Sequence, residues 1–179
     1  MEKKVNRHHI YKNDFLEVYE DDVMLENGNP SKRIVVDHVG AACVLPLTKD
    51  GDVILVKQYR YSIGADALEI PAGKKDDVAD ETESTALREL QEETGYTADR
   101  LDYATTIYSA IGFSNEAIAI YIAKNVYKSK ETYTQDDDEA IESIIMPFNE
   151  AYNKVINGEI KDAKTVVALL YAKQHVKLC

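Results

Sequence analysis

Arg88-Glu89-Leu90-Gln91-Glu92-Glu93-Thr94-Gly95-Tyr96 closes a segment that begins at Gly73, and the rest of the 179-residue chain is read outward from it. The spacing predicts a helix over residues 80–93. Asp80 stands where an N-cap belongs, with Glu83 three positions on as its capping-box partner. Ala86 and Leu90 repeat at i,i+4 on an apolar face, and Gly95 falls where a left-handed C-cap favours glycine. Glu89, Glu92 and Glu93 then stand at i, i+3 and i+4, so their carboxylates gather on one face. All three lie in the last two turns, where the negative end of the helix dipole disfavours anions. Arg88 reaches Glu92 at i,i+4, but one cation does not satisfy three anions. A divalent cation with oxygen ligands would. The ordinary alternative is a solvated acidic face.

Upstream of the helix stands Glu69-Ile70-Pro71-Ala72-Gly73. Proline fixes the chain and glycine permits close backbone approach, so a carbonyl can be presented beside the helix carboxylates. Earlier still, β-rich runs at Ile34–Leu47 and Val53–Tyr59 flank Lys49-Asp50-Gly51-Asp52, a hairpin signal. The first 35 residues carry spaced apolar side chains and read as one or two strands, closed by Asn27-Gly28-Asn29-Pro30. Downstream, strands are expected near Tyr103–Ser109, Ala117–Ala123 and Ile141–Met146, and helices near Asn149–Ile156 and Asp162–His175. Strands and helices mix without a regular βαβ rhythm, which favours an α+β fold.

The length fits one domain. Hydrophobic residues at 45% and charged residues at 30% are those of a globular chain and not of a disordered one. No apolar run reaches the ~20 residues of a membrane helix, and the first residues carry no signal-peptide core, so a cytoplasmic protein is expected. Two cysteines, Cys43 in an apolar run and Cys179 at the end, make neither a disulfide framework nor a zinc site. The net charge of −11 argues against nucleic acid or anionic lipid as partner. A second acidic cluster runs from Glu131 through Asp136, Asp137, Asp138, Glu139 and Glu142.

Taken together, these residues resemble the Nudix hydrolase signature: Gly, five residues, Glu, seven residues, then Arg-Glu-apolar-any-Glu-Glu-any-Gly-apolar. Arg88, Glu89, Leu90, Glu92, Glu93, Gly95 and Tyr96 match the second half at every fixed position. The first half departs, because Arg88 follows Gly73 by one residue more than in the family and Asp80 replaces the early Glu. Val56-Lys57-Gln58-Tyr59-Arg60, Leu68–Gly73, Gly112-Phe113-Ser114-Asn115-Glu116 and Ile160-Lys161-Asp162-Ala163-Lys164-Thr165 are similar to the ADP-ribose pyrophosphatase branch. In that branch a proline about sixteen residues past the box's last glycine is associated with ADP-ribose; Ile111 stands there in this chain.

The resemblance implies a mixed β-sheet core sandwiched between helices, with antiparallel N-terminal strands. Residues 1–35 would form those strands, a dimerisation element packing across the partner of a homodimer, and residues 36–179 the Nudix domain. The implied reaction is Mg²⁺-dependent hydrolysis of a nucleoside diphosphate derivative, with ADP-ribose split to AMP and ribose 5-phosphate; Mn²⁺ is an alternative metal. Glu89 and Glu93 would be the principal metal ligands, with the Ala72 carbonyl another and Glu92 a further ligand or the holder of the water; Arg88 would orient the glutamates, and Glu92 and Arg88 would thereby be catalytic. Arg60, Glu69, Ile111 and Gly112 would bind substrate. Glu139 aligns with the loop glutamate that serves as catalytic base, beside Asp136, Asp137 and Asp138. Tyr11, Phe15 and Tyr19 are candidates for a base platform, or core side chains. Other Nudix substrates (a different nucleotide sugar, a dinucleotide, a nucleoside triphosphate) and a nucleotide sensor without catalysis remain open alternatives.

Overall fold

A computed structural model describes residues 1–130 and 141–176. The N-terminal region is a three-stranded antiparallel sheet of β1 (Lys3–Lys12), β2 (Leu16–Met24) and β3 (Pro30–His38), in that spatial order. The expected one or two strands are thus three, and the last runs on to His38. The long run expected at Ile34–Leu47 breaks at Val39-Gly40, so β4 (Ala41–Leu47) starts a second sheet.

That second sheet has seven strands. Its main path is β12 (Glu142–Pro147), β5 (Asp52–Arg60), β4, β10 (Ala117–Lys124), β9 (Leu101–Tyr108); β6 (Ala65–Glu69) pairs with β5 and β7 (Ala72–Lys74) with β4. β10 runs parallel to β4, with Ile118 opposite Ala41, and the other pairings are antiparallel, so the sheet is mixed. A two-stranded ribbon joins β8 (Tyr96–Thr97) to β11 (Tyr127–Lys128).

Side chains alternate across β4, and the two faces feed different cores. Cys43, Leu45 and Leu47 pack with Val53, Leu55, Ile118, Ile120 and Ile122 under α2 (Phe148–Ile156) and α3 (Ala163–His175), which contribute Phe148, Ala151, Ala168, Leu169 and Ala172. Ala42 and Val44 pack with Ile54, Ala119 and Tyr121 against Ala86 and Leu90 of α1 (Thr82–Thr94). The sheet is therefore held between helices on both faces, an α+β arrangement.

The start of α1 differs from expectation. Asp80 does not cap it: the helix begins at Thr82 with Glu81 in the N-cap position and no side-chain cap bond. Asp80 instead accepts the Asp77 N–H at 2.7 Å, closing a turn in the lengthened loop after β7. A short polar side chain that finds a local backbone partner is withdrawn from capping. The C-terminus is as expected, with Gly95 left-handed at φ 69° and its N–H donating to the Gln91 carbonyl. α3 is capped by Asp162, whose carboxylate accepts the Thr165 N–H.

Candidate active site

A cleft of about 560 Å³ opens between α1, the end of β5, the start of β10 and the first turn of α3. That volume suits a nucleotide-sized ligand. Phe15, His38, Arg60, Ala72, Gly73, Arg88, Glu89, Glu92, Glu93, Glu116 and Lys164 are among the residues that line it.

The chain from Glu69 to Gly73 leaves β6 and enters β7 directly beneath α1. The Ala72 N–H donates to Glu93 Oε2 at 3.1 Å. At Gly73 an added Cβ would stand 1.9 Å from Glu89 Oε1, so only glycine lets the carboxylate lie against the backbone there. Glu89 and Glu93 are both buried. Arg88 bridges the face, with Nη2 2.7 Å from Glu89 Oε1 and Nη1 donating to Glu92 Oε2 at 2.6 Å. Burial opposes the Arg88 charge, but Glu89 and Glu92 outweigh it and raise the guanidinium pKa.

Carboxylate oxygens and a backbone carbonyl are the donors that hard divalent cations take, and the Gly73 cradle admits one of those carboxylates. The residues present fit such an ion in chemistry. Among the described residues, no three His, Cys, Asp or Glu side chains are drawn together as a metal-binding group. Glu92 is held by Arg88 and Glu93 by the Ala72 N–H.

A second group of charges lines the same cleft. Arg60, at the end of β5, forks onto Glu69, with Nε–Oε1 and Nη2–Oε2 both at 2.7 Å. Glu69 is 2% exposed and also accepts from Lys164 Nζ. Burial pushes the Glu69 carboxyl up, yet the Arg60 fork and the Lys164 ammonium together hold it down at about 2. The same bond from Glu69 raises Arg60.

The sequence-derived candidates separate into three groups. Arg60, Ala72, Arg88, Glu89, Glu92 and Glu93 line the cleft, and Glu69 stands behind Arg60. Ile111 and Gly112 do not line it; they sit on the turn between β9 and β10, where Ile111 is 82% exposed. Glu139, with Asp136, Asp137 and Asp138, lies outside the described residues. Of the three aromatic candidates, Phe15 lines the cleft, edge-on to His38 with ring centroids 5.8 Å apart. Tyr19 is covered by Arg7, 4.2 Å above its ring, and Tyr11 is on exposed β1.

The sequence does not mark His38 as a site residue, and it carries Glu116 and Lys164 only as members of the 112–116 and 160–165 motifs. Glu116 is brought in by the 110–116 loop, which docks on β3 through Val36 N–H to the Phe113 carbonyl and His38 N–H to Asn115 Oδ1. His38 Nδ1 accepts the Gly40 N–H, so in a neutral ring the proton sits on Nε2, which is 3.7 Å from Glu116 Oε1. Among the described residues, four cations (Arg60, Lys74, Arg88, Lys164) and five carboxylates (Asp76, Glu89, Glu92, Glu93, Glu116) line the cleft. Such a lining does not attract an anion unless a further positive charge enters with it.

A mixed sheet between helices, with a glutamate-rich helix closing a polar cleft, defines a Nudix domain. The family model for that domain matches residues 37–169, and the chain belongs to the Nudix hydrolase family. It is 39% identical over 170 residues to the ADP-ribose pyrophosphatase of Bacillus subtilis (strain 168), covering 95% of this chain and 91% of that protein. It is 35% identical, over the same shares, to the methanol dehydrogenase activator of Bacillus methanolicus. A GDP-mannose pyrophosphatase of Yersinia enterocolitica serotype O:8 / biotype 1B is 33% identical, over 89% of this chain and 88% of the relative. A crystal structure of an ADP compounds hydrolase superposes with a TM-score of 0.83 over 97% of this chain and 92% of the other; at 20% identity the likeness is one of fold.

Proposed function

We propose that the chain hydrolyses ADP-ribose to AMP and ribose 5-phosphate with Mg²⁺, Mn²⁺ being able to substitute. One observation carries the reading: a single cleft joins the carboxylate face of α1 to the Arg60–Glu69–Lys164 wall. The similarity to the Bacillus subtilis ADP-ribose pyrophosphatase over nearly the whole chain supports it.

Glu89, Glu92, Glu93 and the Ala72 carbonyl would hold the divalent ion. When bound, it supplies neutralisation of the diphosphate charge and activation of water at neutral pH. Arg88 holds Glu89 and Glu92 aimed along one face. Arg60, fixed from behind by Glu69, presents its guanidinium to the diphosphate or the terminal ribose. Glu139 is the proposed acceptor of the water proton, with Asp136, Asp137 and Asp138 as neighbouring acids. The reading includes a homodimer built through residues 1–35. The exposure of all ten residues of β1, Val5 and Ile10 among them, supports that part.

A second reading is a different nucleotide sugar. Ile111 at the position where the branch carries proline favours it, as does similarity to a GDP-mannose pyrophosphatase. The deciding experiment incubates the purified chain with ADP-ribose, GDP-mannose, ADP-glucose and diadenosine compounds, with and without Mg²⁺. Metal-dependent AMP release from ADP-ribose well above all other products is expected. Faster GMP release from GDP-mannose would move the specificity to the second reading. Saturable binding without turnover of any compound would make the chain a sensor.

A further inference from the structure

Lys164 is an unusual residue to find in the first turn of a helix: it is 8% exposed and its ammonium points into a buried cluster. Nζ donates to Glu69 Oε2 and sits 3.1 Å from Asp162 Oδ1. The other Asp162 oxygen caps α3, accepting from Thr165 N–H at 3.1 Å and Thr165 Oγ1 at 2.6 Å. Thr165 Oγ1 in turn accepts the Ile70 N–H at 2.8 Å. The start of α3 is thus stapled to the Glu69–Gly73 segment, which carries the Ala72 carbonyl and the cradle for Glu89.

The charges in this cluster are few and paired. Arg60 and Lys164 are the cations, Glu69 and Asp162 the anions. Burial pulls the Lys164 ammonium pKa down, but Asp162 and Glu69 more than restore it, so the side chain is charged at neutral pH. With Lys164 present the four groups sum to zero. Without it, Arg60 is left facing Glu69 and Asp162, with Glu93 of α1 also acting on it, and the wall that meets the substrate carries a net negative charge. Glu69 and Lys164 are both buried, so solvent screens the loss of the ammonium beside that carboxylate only in part.

We propose that Lys164 is a positioning residue for the anionic substrate: by offsetting Glu69 and Asp162 it leaves the Arg60 guanidinium available to a diphosphate derivative. It acts through Glu69, without contacting the reacting phosphorus. The inference rests on the reading of the cleft as a diphosphate site.

The test is a cycle of Lys164→Met and Glu69→Gln, each alone and together, with Lys164→Arg as the conservative control. Kinetics are measured on whichever diphosphate the wild-type chain turns over. Calorimetric titration of ADP-ribose with Mg²⁺ present repeats the comparison, so a chain that binds but does not hydrolyse still reports on Lys164. Lys164→Met is expected to raise KM tenfold or more with kcat within threefold, and Lys164→Arg to recover most of the loss. In the Glu69→Gln background the same change should move KM less than threefold, because of the two carboxylates that Lys164 offsets, the one that forks onto Arg60 is gone. An equal effect in both backgrounds, an unchanged KM, or a fall confined to kcat overturns the proposal. If Lys164→Met does not fold, the doubly substituted chain removes one charge of each sign and should fold with KM close to that of Glu69→Gln alone; its failure to fold also overturns the proposal. Failure of the wild type to turn over or bind any of these compounds is a failure of the functional reading itself.

Discussion

Glu89 and Gly73 share one small volume: the carboxylate of the helix residue lies where position 73 would carry its Cβ, 1.9 Å from Oε1. The contact couples β7 to α1, and only glycine at position 73 leaves the Glu89 carboxylate where it lies. The backbone at Gly73 is in an ordinary strand pairing with Ala42, so the requirement is one of space and not of dihedral angle.

Gly73→Ala should therefore push Glu89 off its place by about 1 Å or more while leaving both cores intact. Displacements of that size in a catalytic constellation cost on the order of 100-fold in rate. Initial rates with saturating Mg²⁺ should show that loss in kcat, with far-ultraviolet circular dichroism unchanged. A variant of wild-type activity would show that Glu89 has no fixed position to lose.

The carboxylate face makes a second prediction. Chelation with EDTA should abolish turnover, and added Mg²⁺ should restore it. Glu89→Gln and Glu93→Gln remove a charge at constant shape, and Glu93→Gln still offers an oxygen to the Ala72 N–H. Each should lower kcat by about 100-fold or more and shift the Mg²⁺ activation curve to higher concentration. Full activity at the same Mg²⁺ in either variant would remove the face from the metal site.

What could be read beforehand and what could not divides along sequence distance. The body of α1, its apolar stripe at Ala86 and Leu90, and its end at Gly95 follow from residues within a few positions of one another, so periodicity and capping rules reach them. The same rules place Asp162 at the head of α3. They fail at Asp80, because Asp77 offers that side chain a competing backbone partner in the loop. They cannot reach the Glu69–Lys164 pair, whose members are 95 residues apart and meet only once α3 has packed on the sheet. His38 is the hardest case. Its place beside Phe15 and Glu116 depends on the 110–116 loop docking on the edge of β3, which no local pattern announces.

Glu69 should make stability depend on acid. Its folded value of about 2 is below the ordinary 4.5, so ionised Glu69 favours the fold at every pH above the unfolded value. That contribution, about 3 kcal/mol from a shift of this size, is lost as pH falls from about 4.5 towards 2. The carboxyl carbon of Glu69, followed by NMR, should titrate near 2, and urea midpoints should fall steeply below pH 4. A titration midpoint close to 4 would show that the Arg60 and Lys164 pairing does not hold the charge.

Asp162→Ala should cost stability at two points at once. The helix loses a cap worth about 1 kcal/mol, and Lys164 loses one of its two anions. A fall of roughly 1–3 kcal/mol is expected, read as a lower urea midpoint with unchanged slope. Asp162→Asn keeps the cap but not the charge, and should recover the cap's share alone.

Cys43 reports on the sheet between the two cores. It is fully buried on β4, donating weakly to the Ala119 carbonyl, and burial pushes its thiol up to about 12. At pH 8 roughly one thiol in ten thousand is then ionised, and reagent cannot reach it. In a Cys179→Ser background, which leaves Cys43 as the single thiol, Ellman's reagent should find no reactive group in the native protein and one equivalent in urea. Because Cys43 faces the core under α2 and α3, its labelling under native conditions requires that side of the sheet to open. The labelling rate in sub-denaturing urea should rise with the same slope as global unfolding. A slope near zero would instead mean that a local fluctuation exposes β4 while the rest of the sheet stays closed.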